Sequence, residues 1–174
     1  MVSMSKLFQC PAYHKAGLEK ANKAIRDQRF YVGIGNHLWL GNGVYFWQEY
    51  RDAVWWNGHY KSPVILIVDL ICEQNRFLDM DDESVKKVFY DYIADSERAF
   101  LKSGFGLRGE RDDVLSAGSF NYFKAKFGIE LIRYSFPGES GRPQFCATTS
   151  KPAKNIRRYN PSDEELEEIL NEYV

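Results

Sequence analysis

Apolar residues follow two different spacings along the chain, strand-like runs and helix-like repeats. The predicted strands are residues 11–15, 44–47, 64–71, 130–136 and 144–148, and the predicted helices are residues 18–26, 50–60, 81–94, 120–127 and 162–173. The two kinds of element mix without a strict βαβ alternation and without a nucleotide-type glycine fingerprint. The pattern therefore predicts an α+β fold.

Turn-forming residues mark the breaks between these elements. Residues 33–43 are rich in Gly and Asn and predict a loop, and the polar, glycine-rich residues 102–113 predict a mobile one. Ser162 and Glu165 have the spacing of a capping box at the start of the last helix. Internal repeats and low-complexity linkers are absent from the sequence, so we expect a single domain over residues 1–174. Its core is expected at about residues 11–158, followed by an acidic helix over about residues 162–173.

The size, charge and apolar runs of the chain limit its class. A chain of 174 residues with 44% hydrophobic residues suits one domain with an ordinary core. The net charge of −1 provides no overall field to attract nucleic acid or a membrane. No apolar run is long enough for a membrane span or a signal segment. Three cysteines lie far apart without metal-ligand spacing. These features predict a cytoplasmic protein with no membrane association and no metal.

Aromatic residues are concentrated in residues 38–56, "LWLGNGVYFWQEYRDAVWW". This segment holds all 4 tryptophans of the chain around two glycines. A core can be built from Leu, Ile and Val alone, so flat rings gathered at a glycine turn favour a binding site for a flat ligand.

Three short motifs in order along the chain have a known parallel. They are "YH" at 13–14, "LGNGVYF" at 40–46 and "RPQFCA" at 142–147. Together they resemble the ADP-ribosyltransferase superfamily, in its poly(ADP-ribose) polymerase and diphtheria-toxin-like branch, over about residues 11–158. Residues 132–156 also resemble the closing strands of small bacterial members. The resemblance implies a domain of split β-sheets with peripheral helices.

The resemblance also implies roles for individual residues. His14 would hydrogen-bond the ribose of NAD, and the backbone at His14 and Lys15 would hold the nicotinamide carboxamide. Tyr45 would stack on one face of the nicotinamide. A second family aromatic falls at Trp56, so Tyr45 and Trp56 would enclose the cationic ring between two π faces.

Three positions, Lys15, Ala53 and Gln144, depart from the family pattern. Lys15 replaces a glycine, which is tolerable where only the backbone is used, and Ala53 replaces a serine that binds the carboxamide. Gln144 replaces the catalytic glutamate, so the position can hold a hydroxyl group but has no charge and cannot act as a base. Arg142 occupies a position that carries Glu or Gln in toxins that modify arginine. Gln144 predicts a slower enzyme, or one whose acceptor is already nucleophilic, without processive polymer synthesis. Arg142 gives no support to arginine modification.

Structural interpretations of the same residues remain open. His14 also fits a hydrogen-bonded structural histidine, and Tyr45 and Trp56 fit a core. His37 and His59 are expected at the surface. The basic residues 151–158 and the acidic residues 163–172 are expected to be solvated, although a basic strip also suits a nucleic-acid backbone.

The leading hypothesis is an NAD-dependent mono-ADP-ribosyltransferase that modifies a macromolecule, either protein or nucleic acid. The resemblance to small toxins implies an intracellular toxin or defence effector with an antitoxin partner. An NAD glycohydrolase is the second enzymatic hypothesis. A catalytically weak module that binds NAD or ADP-ribose, or a structural interaction domain, is the non-enzymatic alternative.

Overall fold

The computed structural model describes residues 6–34, 38–56, 58–102, 117–136 and 141–172. Its strands are β1 Leu7–Gly17, β2 Val44–Trp47, β3 Pro63–Glu73, β4 Phe77–Asp79, β5 Leu131–Phe136, β6 Arg142–Ala147 and β7 Ala153–Arg158. Its helices are α1 Leu18–Asp27, α2 Tyr50–Trp55, α3 Glu83–Lys102, α4 Ala117–Phe127 and α5 Asp163–Glu172, with a short 3₁₀ turn at Gln74–Arg76. The α+β class is confirmed.

The strands form a sheet that divides into two halves. The order of its 7 strands is β4-β5-β6-β2-β1-β3-β7. Eleven paired positions join β1 to β3, from Leu7↔Glu73 to Gly17↔Pro63. Between β1 and β2, by contrast, the paired register contains only Tyr13↔Trp47. We call this junction the seam. One half is β4-β5-β6-β2 and the other is β1-β3-β7.

The two halves fold over one another. Phe8 on β1 stacks on Phe77 of β4 with ring centroids 3.9 Å apart. Four strand steps separate these strands in the sheet order, which would place them about 19 Å apart in a flat sheet. The ring contact therefore requires the halves to face each other across a shared core.

The β4-β5-β6-β2 half has an inner and an outer face, and these two faces pack into different cores. The inner core lies between the halves and includes Ala12, Val44, Phe46, Leu66, Val68, Leu70, Leu131 and Phe145. The outer core lies beneath α3 and α4 on the β4-β5-β6-β2 half and includes Leu40, Met80, Phe89, Phe120, Ile132 and Cys146. Side chains alternate between the two faces along β2 and β6, so each short strand contributes to both cores.

Most predicted elements are confirmed, with shifted ends. β2 matches its prediction at both ends, and α4 stops where Gly128 adopts a φ of +63°. α2 ends at Trp55, before the predicted residue 60. The sequence interpretation missed β4 and β7. β7 is an edge strand on which only Ala153 and Ile156 are buried, so its pattern resembles a charged surface segment.

The acidic C-terminal helix begins as predicted. The Ser162 hydroxyl oxygen accepts from the backbone N–H of Glu165, and the Glu165 carboxylate accepts from that of Ser162. His59 is exposed, as expected. His37 and residues 103–113 of the predicted mobile loop lie outside the described residues. No helix within the described ranges is long and apolar enough to cross a membrane.

Candidate functional site

Gln144 lies at the centre of an aromatic surface on the outer face. Its register partners are Tyr134 on β5 and Trp47 on β2, and paired residues of neighbouring strands share a face. Trp39 lies over this surface and stacks on Tyr134 with ring centroids 5.2 Å apart. Tyr45 shares the face because it lies two residues before Trp47. We call this set of five side chains the Gln144 face.

The Gln144 amide is held in one orientation. The residue is 5% exposed. Trp39 Nε1–H donates to Gln144 Oε1 over 2.6 Å. An indole N–H is only a donor, so the amide oxygen must face it and the NH₂ group must face away. That NH₂ group has no partner among the described residues. A nearly buried side chain therefore presents a free hydrogen-bond donor beside three aromatic rings.

Tyr45 anchors the glycine turn that precedes β2. Its hydroxyl accepts from the backbone N–H of Leu40 at 2.9 Å and donates to the carbonyl of Gly41 at 2.8 Å. Burial is the main cause of a raised pKa for this hydroxyl, which stays protonated at neutral pH. The Tyr45 hydroxyl is thus structural, and only the ring is available to a ligand.

Lys124 supports the same turn from α4. It is 3% exposed. Its Nζ donates to the carbonyls of Leu40 at 3.2 Å and Asn42 at 2.5 Å. Asn121, one helical turn earlier, accepts from the backbone N–H of Asn42 through its Oδ1 at 2.8 Å. Burial lowers the pKa of Lys124. These contacts fix the turn, and with it the neighbouring Trp39.

Trp56 borders the Gln144 face through a tryptophan cluster. Its ring lies 5.8 Å from that of Trp47 and 6.4 Å from that of Trp55. Trp56 remains 36% exposed, so part of the ring is open to a ligand. Lys15 Nζ donates to the carbonyls of Val54 at 3.0 Å and Trp56 at 2.8 Å. The Lys15 side chain therefore anchors the end of α2, and the predicted contact of its backbone with a carboxamide stays a prediction.

Arg142 forms the other border of the face. Its guanidinium donates to the buried Asp52 carboxylate and lies over the Trp55 ring, 4.4 Å from the centroid. Its Nε is buried and has no hydrogen-bond partner among the described residues. The Asp52–Arg142 pair joins α2 to β6 at this border.

The predicted site residues do not all share one face. Tyr45 and Gln144 lie on the outer face, with Trp56 at its border. His14 points into the inner core, where its ring lies 5.0 Å from that of Phe30 and 5.6 Å from that of Phe46. Ala53 is fully buried, so a ligand on the face cannot reach its methyl group.

His14 connects the two halves of the sheet at the seam. Its Nδ1 lies 2.7 Å from the Tyr45 carbonyl oxygen. A carbonyl can only accept, so Nδ1 carries the proton and Nε2 does not. Burial is the main cause of a lowered His14 pKa, so the ring is neutral at pH 7. This hydrogen bond links the His14 side chain of β1 to the backbone of β2.

The lowered pKa of His14 makes the stability of the fold depend on pH. Burial opposes protonation in the folded state, so below about pH 6.5 the unfolded chain binds more protons. Relative to His14→Gln, which does not titrate there, the wild-type free energy of unfolding should be constant above this pH and fall below it. Denaturant titrations at several pH values measure the difference. Exposed His59, replaced by Gln, is the matched control, and parallel pH profiles for both variants would contradict the assignment.

Sequence interpretation missed several residues that build the site. Trp39 and Gln144 are 105 positions apart, and Lys124 lies 82 positions from Asn42. The order of polar and apolar residues along the chain does not indicate that such distant residues are in contact. The concentration of all 4 tryptophans in residues 38–56 was the available clue to Trp39 and Trp47.

Comparison with known proteins gives little information about the role of these residues. No protein-family model matches the chain. An uncharacterized protein of Methanocaldococcus jannaschii is 28% identical over 85 residues, covering 44% of this chain. The matched segment covers 40% of that relative, so the chain corresponds to less than half of its length.

Proposed function

We propose that the protein is an NAD-dependent mono-ADP-ribosyltransferase with its site on the Gln144 face. The observation that carries the proposal is the oriented Gln144 amide, whose free NH₂ group lies beside aromatic rings in a nearly buried position. Such a donor suits the oxygen of a ribose hydroxyl, and the rings suit a cationic pyridinium. The order of the three short motifs supports the same chemistry.

In this proposal Gln144 Nε2 donates to the 2′-hydroxyl oxygen of the nicotinamide ribose. The rings of Tyr45 and Trp56 contact the pyridinium. The bond between the ribose C1′ and the nicotinamide nitrogen breaks, its electron pair leaves with neutral nicotinamide, and C1′ acquires oxocarbenium character. A nucleophile on a macromolecule then forms the new bond to C1′ and loses its proton to solvent. Gln144 cannot take that proton, so the reaction is slow or needs a strong nucleophile.

His14 has a positioning role in this proposal. Its ring lies on the inner face, so it supports the reaction by holding the Tyr45 backbone at the seam. Lys15 acts similarly on Trp56 through the end of α2. Both residues shape the Gln144 face without touching the reacting atoms.

A module that binds NAD or ADP-ribose without turnover is the second candidate. The neutral amide at position 144 favours it, because a fixed donor can recognise ribose but gives little charge stabilisation to an oxocarbenium-like state.

Nicotinamide release from NAD separates these functions. We expect the purified protein to release nicotinamide in the presence of cell lysate and to label a macromolecule. Release without lysate would identify a glycohydrolase. Saturable NAD binding with no release would identify a binding module, and absence of binding would refute the proposal.

The aromatic border gives a second test of NAD binding. Trp56→Ala should weaken NAD binding by about 1–2 kcal/mol, through loss of contact with the cationic ring. Isothermal titration calorimetry measures the change. The matched control is Phe127→Ala, which removes a ring that is 47% exposed at the end of α4, outside the Gln144 face. Equal NAD affinity in the two variants would remove Trp56 from the site.

A further inference from the structure

A basic depression lies at the edge of the sheet, away from the Gln144 face. It encloses ≈ 500 Å³ between the end of α1 and strand β7. Its lining residues are Asp27, Gln28, Arg29, Ser150, Lys151, Ala153, Lys154 and Asn155. Because β7 is the last strand in the sheet order, this edge is open to a partner.

Side-chain hydrogen bonds hold the walls of the depression together. Gln28 Nε2 donates to the carbonyls of Ile25 at 2.7 Å and Ile156 at 2.8 Å, while its Oε1 accepts from the Ile156 N–H at 2.9 Å. The Phe30 N–H donates to Ser150 Oγ at 2.8 Å. These hydrogen bonds make the depression a fixed part of the fold. Gln28 and Ile156, which they join, lie 128 positions apart in the sequence.

The depression carries more positively charged than negatively charged side chains. Asp27, its acidic residue, is hydrogen-bonded by Arg26 at 2.8 Å. Lys151 is paired with Glu130 at 2.7 Å. Arg29 and Lys154 form no ion pair within the described ranges. These two positive charges remain without an ion-pair partner, with Asp69 of β3 as the register partner of Lys154, and such exposed cations suit the phosphates of a polyanion.

An exposed aromatic ring lies two residues beyond Arg29. Tyr31 is 64% exposed, and Lys23 Nζ lies 4.4 Å from its ring centroid. Phe30, between Arg29 and Tyr31, is buried, so its two neighbours project together towards solvent. An unstacked base can lie on such a ring, whereas bases in a duplex are covered by their neighbours.

We propose that this edge binds single-stranded nucleic acid, with phosphates at Arg29 and Lys154 and a base on Tyr31. The surface requires no NAD and does not depend on the proposed transferase activity.

The test is binding of a short labelled oligothymidylate, followed by fluorescence anisotropy at several salt concentrations. Arg29→Gln and Lys154→Gln should each reduce the slope of log K against log[salt] by about 0.7 in magnitude. One lost contact corresponds to about eightfold weaker binding at about 50 mM salt. Tyr31→Ala should weaken binding about tenfold.

Lys87→Gln is the matched control, because it removes one exposed positive charge from α3. The assignment would be overturned if Lys87→Gln weakened oligothymidylate binding as much as Arg29→Gln does. So would failure of the wild type to bind at low salt. Equal competition by a duplex, with no effect of Tyr31→Ala, would overturn single-strand binding. Loss of NAD turnover with oligonucleotide binding intact would contradict only the proposed function.

Discussion

Gln144→Ala is expected to reduce nicotinamide release to the background rate while weakening NAD binding by only about 1 kcal/mol. The variant removes the donor that positions the ribose 2′-hydroxyl, so the nicotinamide ribose is no longer held in its reacting orientation. It also removes the acceptor of the Trp39 N–H.

Gln144→Glu should have the opposite effect on rate. A carboxylate oxygen still accepts from Trp39, and the second oxygen replaces the free NH₂ group with a negative charge. A preorganised charge of this kind is worth about 3 kcal/mol, or roughly a hundredfold in rate. Burial raises the pKa of an introduced carboxyl group, so the assay belongs at mildly alkaline pH. Water should also compete as acceptor, because a carboxylate can take its proton.

Nicotinamide release and acceptor labelling should be measured side by side for these variants. Trp39→Phe is the control for orientation, because it keeps a ring on Tyr134 but removes the N–H that fixes the Gln144 amide. Equal turnover by the wild type, Gln144→Ala and Gln144→Glu would show that Gln144 is not at the catalytic position. No turnover with equal NAD binding by all three would favour the binding module.

Lys124→Met is expected to destabilise the protein by about 2 kcal/mol. The substitution removes, at nearly constant volume, the donor to the buried Leu40 carbonyl and the partly buried Asn42 carbonyl. An unsatisfied buried acceptor costs about 1–3 kcal/mol. Relief from burying a charge offsets part of this loss. The melting temperature should fall by about 4–8 °C for a domain of this size. Nicotinamide release should fall as well, because the turn next to Trp39 loosens.

Lys126→Met provides the matched control, since Lys126 is exposed on the same helix. Differential scanning calorimetry compares the two variants. Equal melting temperatures would mean that Lys124 contributes no net stability to the turn.

The fold was predictable from sequence where short-range patterns decide the structure. β2 is bounded by a glycine turn and a polar segment, and α4 ends at a glycine with positive φ, so local chemistry fixes both. β7 was not predictable in this way. Four of its six residues are exposed, and its pairing with β3 depends on a distant strand.

The candidate site was predictable only in part. The segment around Tyr45 and Trp56 was identified from its aromatic content, and Gln144 from a motif. The face on which each side chain lies depends on sheet register, which separates His14 from Gln144 although both flank β2. A buried lysine such as Lys124 contradicts ordinary burial preferences, so no sequence pattern would have selected it.

The seam between β1 and β2 has a consequence for cooperativity. Opening the sheet at the seam breaks one register pair and the bond from His14 to the Tyr45 carbonyl, rather than a full ladder. The Lys15 bonds to the end of α2 and the shared inner core still hold the halves together, so faster amide hydrogen exchange is expected along the seam than inside β1–β3. A ligand that contacts both Trp56, anchored through Lys15 on β1, and Gln144 on β6 would oppose this local opening. Ligand binding would then raise the free energy of local unfolding, so the two quantities would be thermodynamically linked.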